Sequence, residues 1–257
     1  MNENEEMNRK VVNYINKDIS NISNISNISN ISNIILNFIL SNFKDDDKIV
    51  LLKKREVVMW LFGDLSFFRE GMSETEENDE KIKENKKENK RQYRLKNKAI
   101  EDVWGQSVLK LRRPDLKLDK QWTNKFGEHL CEEILKICGK EVKKPCKKEH
   151  YLPDCEVDDA IWEVKTGTFH TDGTAGEKIL GCPFKYADIP CLYNKPLRIM
   201  CIGGAEMICR EQYGNLSGVK CTSQKQKFLE FFRQNNIEYV GATDILKKLV
   251  ENEVKEL

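Results

Sequence analysis

The sequence predicts an α/β protein built on a mixed sheet, and three observations favour this class. Apolar residues at 122, 126, 130, 134 and 137 predict an amphipathic helix from Trp122 to Cys138, which Gly139 ends. Strand-like segments follow at 142–148, 150–157 and 160–169, and in the last of them apolar and polar residues alternate. Residues 197–203 then predict a buried strand.

The elements between and after these strands complete the predicted order. Thr174 and Glu177 fit a capping box at the start of a helix, which is short because Pro183 lies ahead. Residues 222–235 predict a helix, 237–240 a short strand, and a last helix begins at about Thr243. A helix, a meander of three strands, a helix and a strand make an α/β sheet domain.

The first 98 residues differ in amino-acid composition from the rest of the chain. Asn-Ile-Ser occurs four times between Asn21 and Ser32, which is typical of low complexity, and residues 48–68 form an apolar segment that must bury against the main domain. Residues 73–98 are almost continuously charged and predict a solvated helix or linker. We expect a low-complexity segment at 1–47, an apolar segment with a charged linker at 48–98, and the functional domain at 99–257.

Composition limits the classes of function. The 43 basic and 42 acidic side chains nearly balance, so attraction to nucleic acid has to come from local clusters. Nine cysteines, an odd number, and an acidic start without a signal sequence predict reduced thiols and an intracellular, cytoplasmic location. The best candidate for a membrane span, at 34–40, is too short and is interrupted by Asn37.

One constellation of residues predicts chemistry. Eight residues separate Pro153-Asp154 from Glu163-Val164-Lys165. In a strand Glu163 and Lys165 project to the same side, and a neighbouring antiparallel strand brings Asp154 beside them. Hard carboxylate oxygens suit Mg²⁺, which neutralises phosphate charge and activates water for phosphodiester hydrolysis.

Lys165 is expected to serve the attacking water. It would either orient the water or help to deprotonate it, and partial desolvation, which lowers the pKa of a lysine, leaves both roles open.

This pattern resembles the PD-(D/E)XK nuclease superfamily. The order of elements is similar to its αβββαβ core, and the block from Glu163 to Gly181 looks like type II restriction endonucleases within it. The resemblance covers about residues 92–206. It implies a restriction-endonuclease-like fold and a Mg²⁺-dependent, site-specific cleavage of double-stranded DNA.

The resemblance also implies roles for individual residues. Asp154 and Glu163 would be metal ligands, Val164 would offer its backbone carbonyl to the metal, and Lys165 would act on the water. Many members place a glutamate from the preceding helix into the site, and Glu128 is the matching residue here, although a solvated helix carboxylate is the alternative.

Several polar and basic residues are predicted to contact DNA. Near the scissile bond these are Thr166, Thr168, the amides at Thr174, Lys178 and Lys185. A second basic cluster contains Arg112, Arg113, Lys117, Lys120, Gln121 and Lys125, and plain surface charge is the alternative for about half of it. A symmetric duplex target predicts a homodimer, and a restriction role predicts a cognate DNA methyltransferase in the same genome.

Other interpretations remain open at this point. A repair or junction-resolving nuclease would use the same three residues, and a non-catalytic DNA-binding protein could keep the fold. Cys146, His150 and Cys155, with Cys182 or Cys191, could hold zinc, although buried thiols are the simpler reading. His170 is a lone histidine and is expected to be structural.

Overall fold

The computed structural model describes residues 32–37, 39, 54–68, 86–117, 122–170 and 175–255. Most of the Asn-Ile-Ser repeat lies outside these ranges, as do three residues named above, Lys120, Gln121 and Thr174.

The described chain folds around a four-stranded mixed sheet. Its strands are β1 (Cys155–Glu156), β2 (Ile161–Gly167), β3 (Leu197–Gly203) and β4 (Ile237–Gly241), in that spatial order. β1 runs antiparallel to β2, whereas β2, β3 and β4 are parallel. The predicted mixed α/β class is confirmed.

The helices flank this sheet. In chain order they are α1 (Arg55–Leu61), α2 (Lys86–Arg112), α3 (Trp122–Ile137), α4 (Ala175–Leu180), α5 (Cys182–Lys185), α6 (Ile189–Tyr193), α7 (Gly204–Ile208), α8 (Ser223–Gln234) and α9 (Ala242–Lys255). A 3₁₀ turn occupies Ser66–Phe68 and a π-helical turn Cys209–Tyr213. The predicted helices at 122–138, 222–235 and from about 243 are confirmed within a residue or two of their ends.

The first two strands are shorter than predicted. Residues 142–148 form only two isolated bridges, Lys143 with Glu156 and Lys148 with Tyr151, and the segment 150–157 contributes only β1 as a regular strand. Pro145 and Pro153 explain part of this difference, because proline has no amide hydrogen to donate to a ladder. The three segments still follow one another in antiparallel order, but fewer hydrogen bonds join them than predicted.

The buried side chains of the sheet are divided between two core clusters, one on each face of the sheet. On β3, Met200 and Ile202 belong to the core cluster beneath α1, α3 and α9, whereas Ile199 and Cys201 belong to the cluster beneath α4 to α7. Successive side chains of a strand point to opposite faces, so both faces of β3 are covered and its buried, continuous apolar sequence is explained.

The apolar segment before residue 69 is part of the first core cluster. Trp60 on α1 is fully buried, and its ring lies against Gly203, where an added Cβ would come within 2.4 Å of it. Gly203 also has a φ of +60°, a conformation that favours glycine. Residues 32–37 are helical, and Ile34, Ile35 and Ile39 join the same cluster, so part of the segment expected to be low complexity contributes to the core.

The predicted boundary at residue 99 falls inside α2. This helix of 27 residues begins in the charged segment and runs on into the domain, where its buried residues Glu101, Val108 and Leu109 share one face. The Trp60 indole donates a 2.7 Å hydrogen bond to Glu101, so α1 and α2 are joined inside the core.

Within the described ranges, no helix combines the length and apolar character that crossing a membrane requires.

Candidate active-site cleft

A cleft of about 1030 Å³ opens at the β1 edge of the sheet, between the N-terminal half of α3 and the α4–α5 segment. Nine of the residues predicted to form the site line it: Glu128, Asp154, Glu163, Val164, Lys165, Thr166, Thr168, Lys178 and Lys185. The structure therefore brings the central constellation of the sequence to one place.

Strand geometry positions the two acidic groups and the lysine. Glu163 and Lys165 lie two residues apart on β2 and point to the face covered by α4 to α7. Because Cys155 pairs with Trp162, the preceding Asp154 lies level with Glu163, just before β1 begins. The Asp154 carboxylate accepts a 2.7 Å hydrogen bond from the Val164 amide and thereby caps an amide that a longer β1 would have bonded.

The surroundings of Asp154 disfavour the ionised form of its carboxyl group. Burial, followed by repulsion from Glu163, raises the pKa of Asp154 to about 7, and the Val164 hydrogen bond only partly opposes this. Two carboxylates that repel each other in a half-buried cleft are stabilised by an added cation. A cation placed beside Asp154 would favour the ionised form of this carboxyl.

Lys165 is held as an ammonium ion. Its Nζ lies 2.5 Å from Glu163 Oε1. Burial, the largest influence, lowers the pKa of Lys165, but the nearby carboxylates outweigh it and the net pKa is raised. The lowered pKa considered from the sequence is therefore not found in this state, and a role in orienting water or neutralising charge is favoured over a role as base.

Tyr186 also belongs to the site, although it was not predicted from the sequence. This buried side chain follows α5, and its hydroxyl donates a 2.8 Å hydrogen bond to Glu163 Oε1. Lys185 Nζ in turn donates to the Tyr186 hydroxyl at 2.9 Å. Burial and the Glu163 charge raise the pKa of Tyr186, so the phenol stays protonated. An isolated Lys-Tyr pair carries no spacing that would single it out in a sequence.

Glu128 reaches the cleft from α3, on the other face of the sheet. Gly127 makes this approach possible, because a Cβ there would lie 1.6 Å from Thr166 Oγ1. The Glu128 carboxylate is paired with Lys125 at 2.9 Å, and its charge contributes to the raised pKa of Asp154. Glu128 thus lies near the carboxylate pair but is about one-third exposed and already has a cationic partner.

The predicted DNA contacts divide into two groups. Lys178 and Lys185 have exposed side chains on the cleft wall, whereas Thr168 is buried and the Thr166 hydroxyl is buried against Gly127. Lys98, which was not predicted, also lines the cleft and pairs with Asp102 at 2.5 Å.

The four described residues of the second predicted basic cluster do not line the cleft. Arg113 forms a bidentate hydrogen-bonded pair with Asp115. Lys125 forms an ion pair with Glu128. Arg112 is half-buried and Lys117 is exposed. The basic residues of this cluster are therefore not arranged around the carboxylates.

The cysteines do not assemble the zinc site considered above. Among the described residues, no group of three or more His, Cys, Asp or Glu side chains is arranged to hold a metal ion. Cys146 and Cys191 are exposed, whereas Cys155 is buried against Cys131, and all nine cysteines are free thiols. His170 does not line the cleft, and burial lowers its pKa.

No family model, curated protein or solved structure matches this chain.

Proposed function

We propose that this chain is a Mg²⁺-dependent endonuclease that cleaves double-stranded DNA, with a PD-(D/E)XK active site of the type II restriction kind. The observation that supports this most is the convergence of Asp154, Glu163 and Lys165 at one edge of a mixed sheet, with the pKa of Asp154 raised to about 7. The order α3, the Lys143 bridge, β1, β2, α4 to α6 and β3 is also compatible with an αβββαβ core.

The residues of the cleft fit a hard divalent cation. Asp154 and Glu163 would supply carboxylate oxygens and Val164 its carbonyl, with water completing the set, as Mg²⁺ prefers. When bound, Mg²⁺ would supply charge neutralisation at the phosphate and a more acidic water. Because two carboxylates and one carbonyl are few ligands, water would complete the coordination of such an ion, and a substrate phosphate would replace some of that water in the complex.

The chain's own residues would orient the reactants. Lys165, an ammonium ion in its present surroundings, would hold the attacking water or the phosphate by donating hydrogen bonds. Lys178 and Lys185 on the cleft wall would bind phosphates on either side of the scissile bond. For a symmetric target, two copies of the chain would act together, with a cognate methyltransferase protecting the host's DNA.

The proposal is tested by incubating unmodified plasmid DNA with Mg²⁺ and the wild-type protein, Lys165→Met or Lys144→Met. Lys144 is an exposed lysine outside the cleft, so its variant controls for loss of positive charge. We expect discrete fragments from wild type and Lys144→Met, and a rate reduced about 100-fold or more for Lys165→Met, the usual scale for losing one donor that stabilises developing charge. Equal cleavage by both variants would contradict the mechanism.

A further inference from the structure

We infer that Tyr186 is a positioning residue that fixes the orientation of the Glu163 carboxylate for metal binding, and that Lys185 in turn orients the Tyr186 hydroxyl. This inference rests on the proposed function, to which it adds a part of the site that the sequence pattern does not include.

The direction of the hydrogen bonds follows from the donors available. An ammonium group can only donate, so Lys185 Nζ donates to the Tyr186 oxygen over 2.9 Å. The single hydroxyl hydrogen of Tyr186 is then free to point at Glu163 Oε1, which lies 2.8 Å away. The Lys185 charge also lies 4.5 Å from the centre of the Tyr186 ring, which further restrains the pair.

Glu163 Oε1 is held by two donors at once. Lys165 Nζ approaches it from the same strand at 2.5 Å, and the Tyr186 hydroxyl approaches it from the segment after α5. Two hydrogen bonds to the same oxygen restrict rotation of the Glu163 carboxylate. Its orientation is therefore fixed in the absence of a bound cation. Partners of this kind, which hold a metal ligand without touching the metal, typically change metal affinity or activity by about 10- to 100-fold when removed.

The Tyr186 ring itself is well anchored. It is buried in the second core cluster and lies 6.1 Å from the Tyr151 ring. Removing only the hydroxyl, as in Tyr186→Phe, therefore leaves the packing of the ring in place. Lys185, by contrast, is exposed on the cleft wall, so it links the solvent-facing wall of the cleft to a buried carboxylate.

Tyr151 provides a matched control. Its hydroxyl also donates a 2.9 Å hydrogen bond to a carboxylate, that of Asp188, but neither residue lines the cleft. Tyr151→Phe and Tyr186→Phe thus remove the same chemical group from neighbouring rings, and only the second removal affects Glu163.

The experiment is a titration of the full-length protein, free of DNA, with Mn²⁺ followed by electron paramagnetic resonance, or with Mg²⁺ followed by calorimetry. We expect Tyr186→Phe to bind the metal at least about 10-fold more weakly than the wild type, and Tyr151→Phe to match the wild type. Lys185→Met should bind the metal more weakly than Lys178→Met, which loses the same charge from the cleft wall. DNA cleavage by Tyr186→Phe should recover when the Mg²⁺ concentration is raised in proportion, which a general loss of structure would not produce.

The outcomes separate this inference from the proposed function. Metal binding by wild type and by Tyr186→Phe with the same affinity would overturn the positioning role alone. If Tyr186→Phe does not fold, Lys185→Met decides, because an exposed side chain can be replaced without touching the core. The same metal affinity in Lys185→Met and Lys178→Met would then overturn the inference. Absence of metal binding by the wild type would overturn the proposed function and this role together.

Discussion

His129 on α3 should make the protein sensitive to acid. It is only 9 % exposed, and its Nδ1 has no hydrogen-bond partner among the described residues. Burial, followed by the nearby charges of Arg113, Lys136 and Arg112, lowers the pKa of His129 from 6.5 to about 4. The folded protein therefore holds this imidazole neutral over a pH range in which the unfolded chain protonates it.

The sign and the size of the effect follow from this difference. As the pH falls below 6.5, His129 becomes protonated in the unfolded chain but stays neutral in the folded protein. The free energy of unfolding therefore decreases until the pH reaches about 4, where the folded protein also binds the proton. A shift of about 2.5 pKa units corresponds to about 3 kcal/mol in total, of which about 2 kcal/mol is lost between about pH 7.5 and pH 5.

The assay is urea unfolding at these two pH values for the wild type, His129→Gln and His150→Gln. Glutamine is neutral at both, so His129→Gln should lose about 2 kcal/mol less than the wild type on acidification. His150 is exposed, and its variant should behave as the wild type does. Equal losses for wild type and His129→Gln, within about 0.5 kcal/mol, would refute the reasoning, since that is the usual scatter between independent sites.

Two further predictions concern how the cleft is built. Gly127→Ala should lower the free energy of unfolding by about 1–3 kcal/mol and reduce DNA cleavage, because its Cβ would overlap Thr166 and push α3 away from β2. Gly181→Ala is the control, since its Cβ would meet nothing closer than 3.5 Å, and chemical unfolding of both variants checks the contrast. Trp60→Phe should cost about 1–3 kcal/mol because the buried Glu101 loses a hydrogen bond, and an unfolding free energy within about 0.5 kcal/mol of the wild type would contradict this.

Local periodicity was enough to predict much of the fold. The apolar spacing of α3, the alternation on β2 and the apolar run of β3 each report which face of an element is buried, and each element was confirmed. The same alternation placed Glu163 and Lys165 on one side of β2, and the structure brings both to the cleft beside Asp154. These features depend on residues close together in the chain.

Features that depend on distant contacts could not be predicted in this way. Trp60 lies 41 residues from Glu101 and the two meet only when α1 packs onto α2. The Thr166 hydroxyl looked like a phosphate contact, but Gly127 lets α3 come close enough to bury it.

Tyr186 illustrates the same limit within the site. Its sequence neighbours indicate only an aromatic residue after a short helix, and its importance comes from its 2.8 Å contact with a glutamate 23 residues earlier. The short β1 is a similar case, because the Asp154 side chain, and not the backbone, satisfies the Val164 amide. The alternation of apolar and polar residues predicts strand length, but it does not show that a side chain will replace the backbone as a hydrogen-bond acceptor.

The most direct test of the proposed activity separates DNA binding from DNA cleavage at Glu163. Single-turnover cleavage of a duplex that the wild type cuts, with Mg²⁺, is compared for wild type and Glu163→Gln, and binding of the same duplex is measured in EDTA. Removing a negative charge from the cleft should leave binding equal or tighter while cleavage falls by about 100-fold or more, the scale expected when a metal ligand is lost. Cleavage by Glu163→Gln at the wild-type rate, or DNA cleavage that persists in EDTA, would contradict a metal-dependent nuclease centred on Asp154, Glu163 and Lys165.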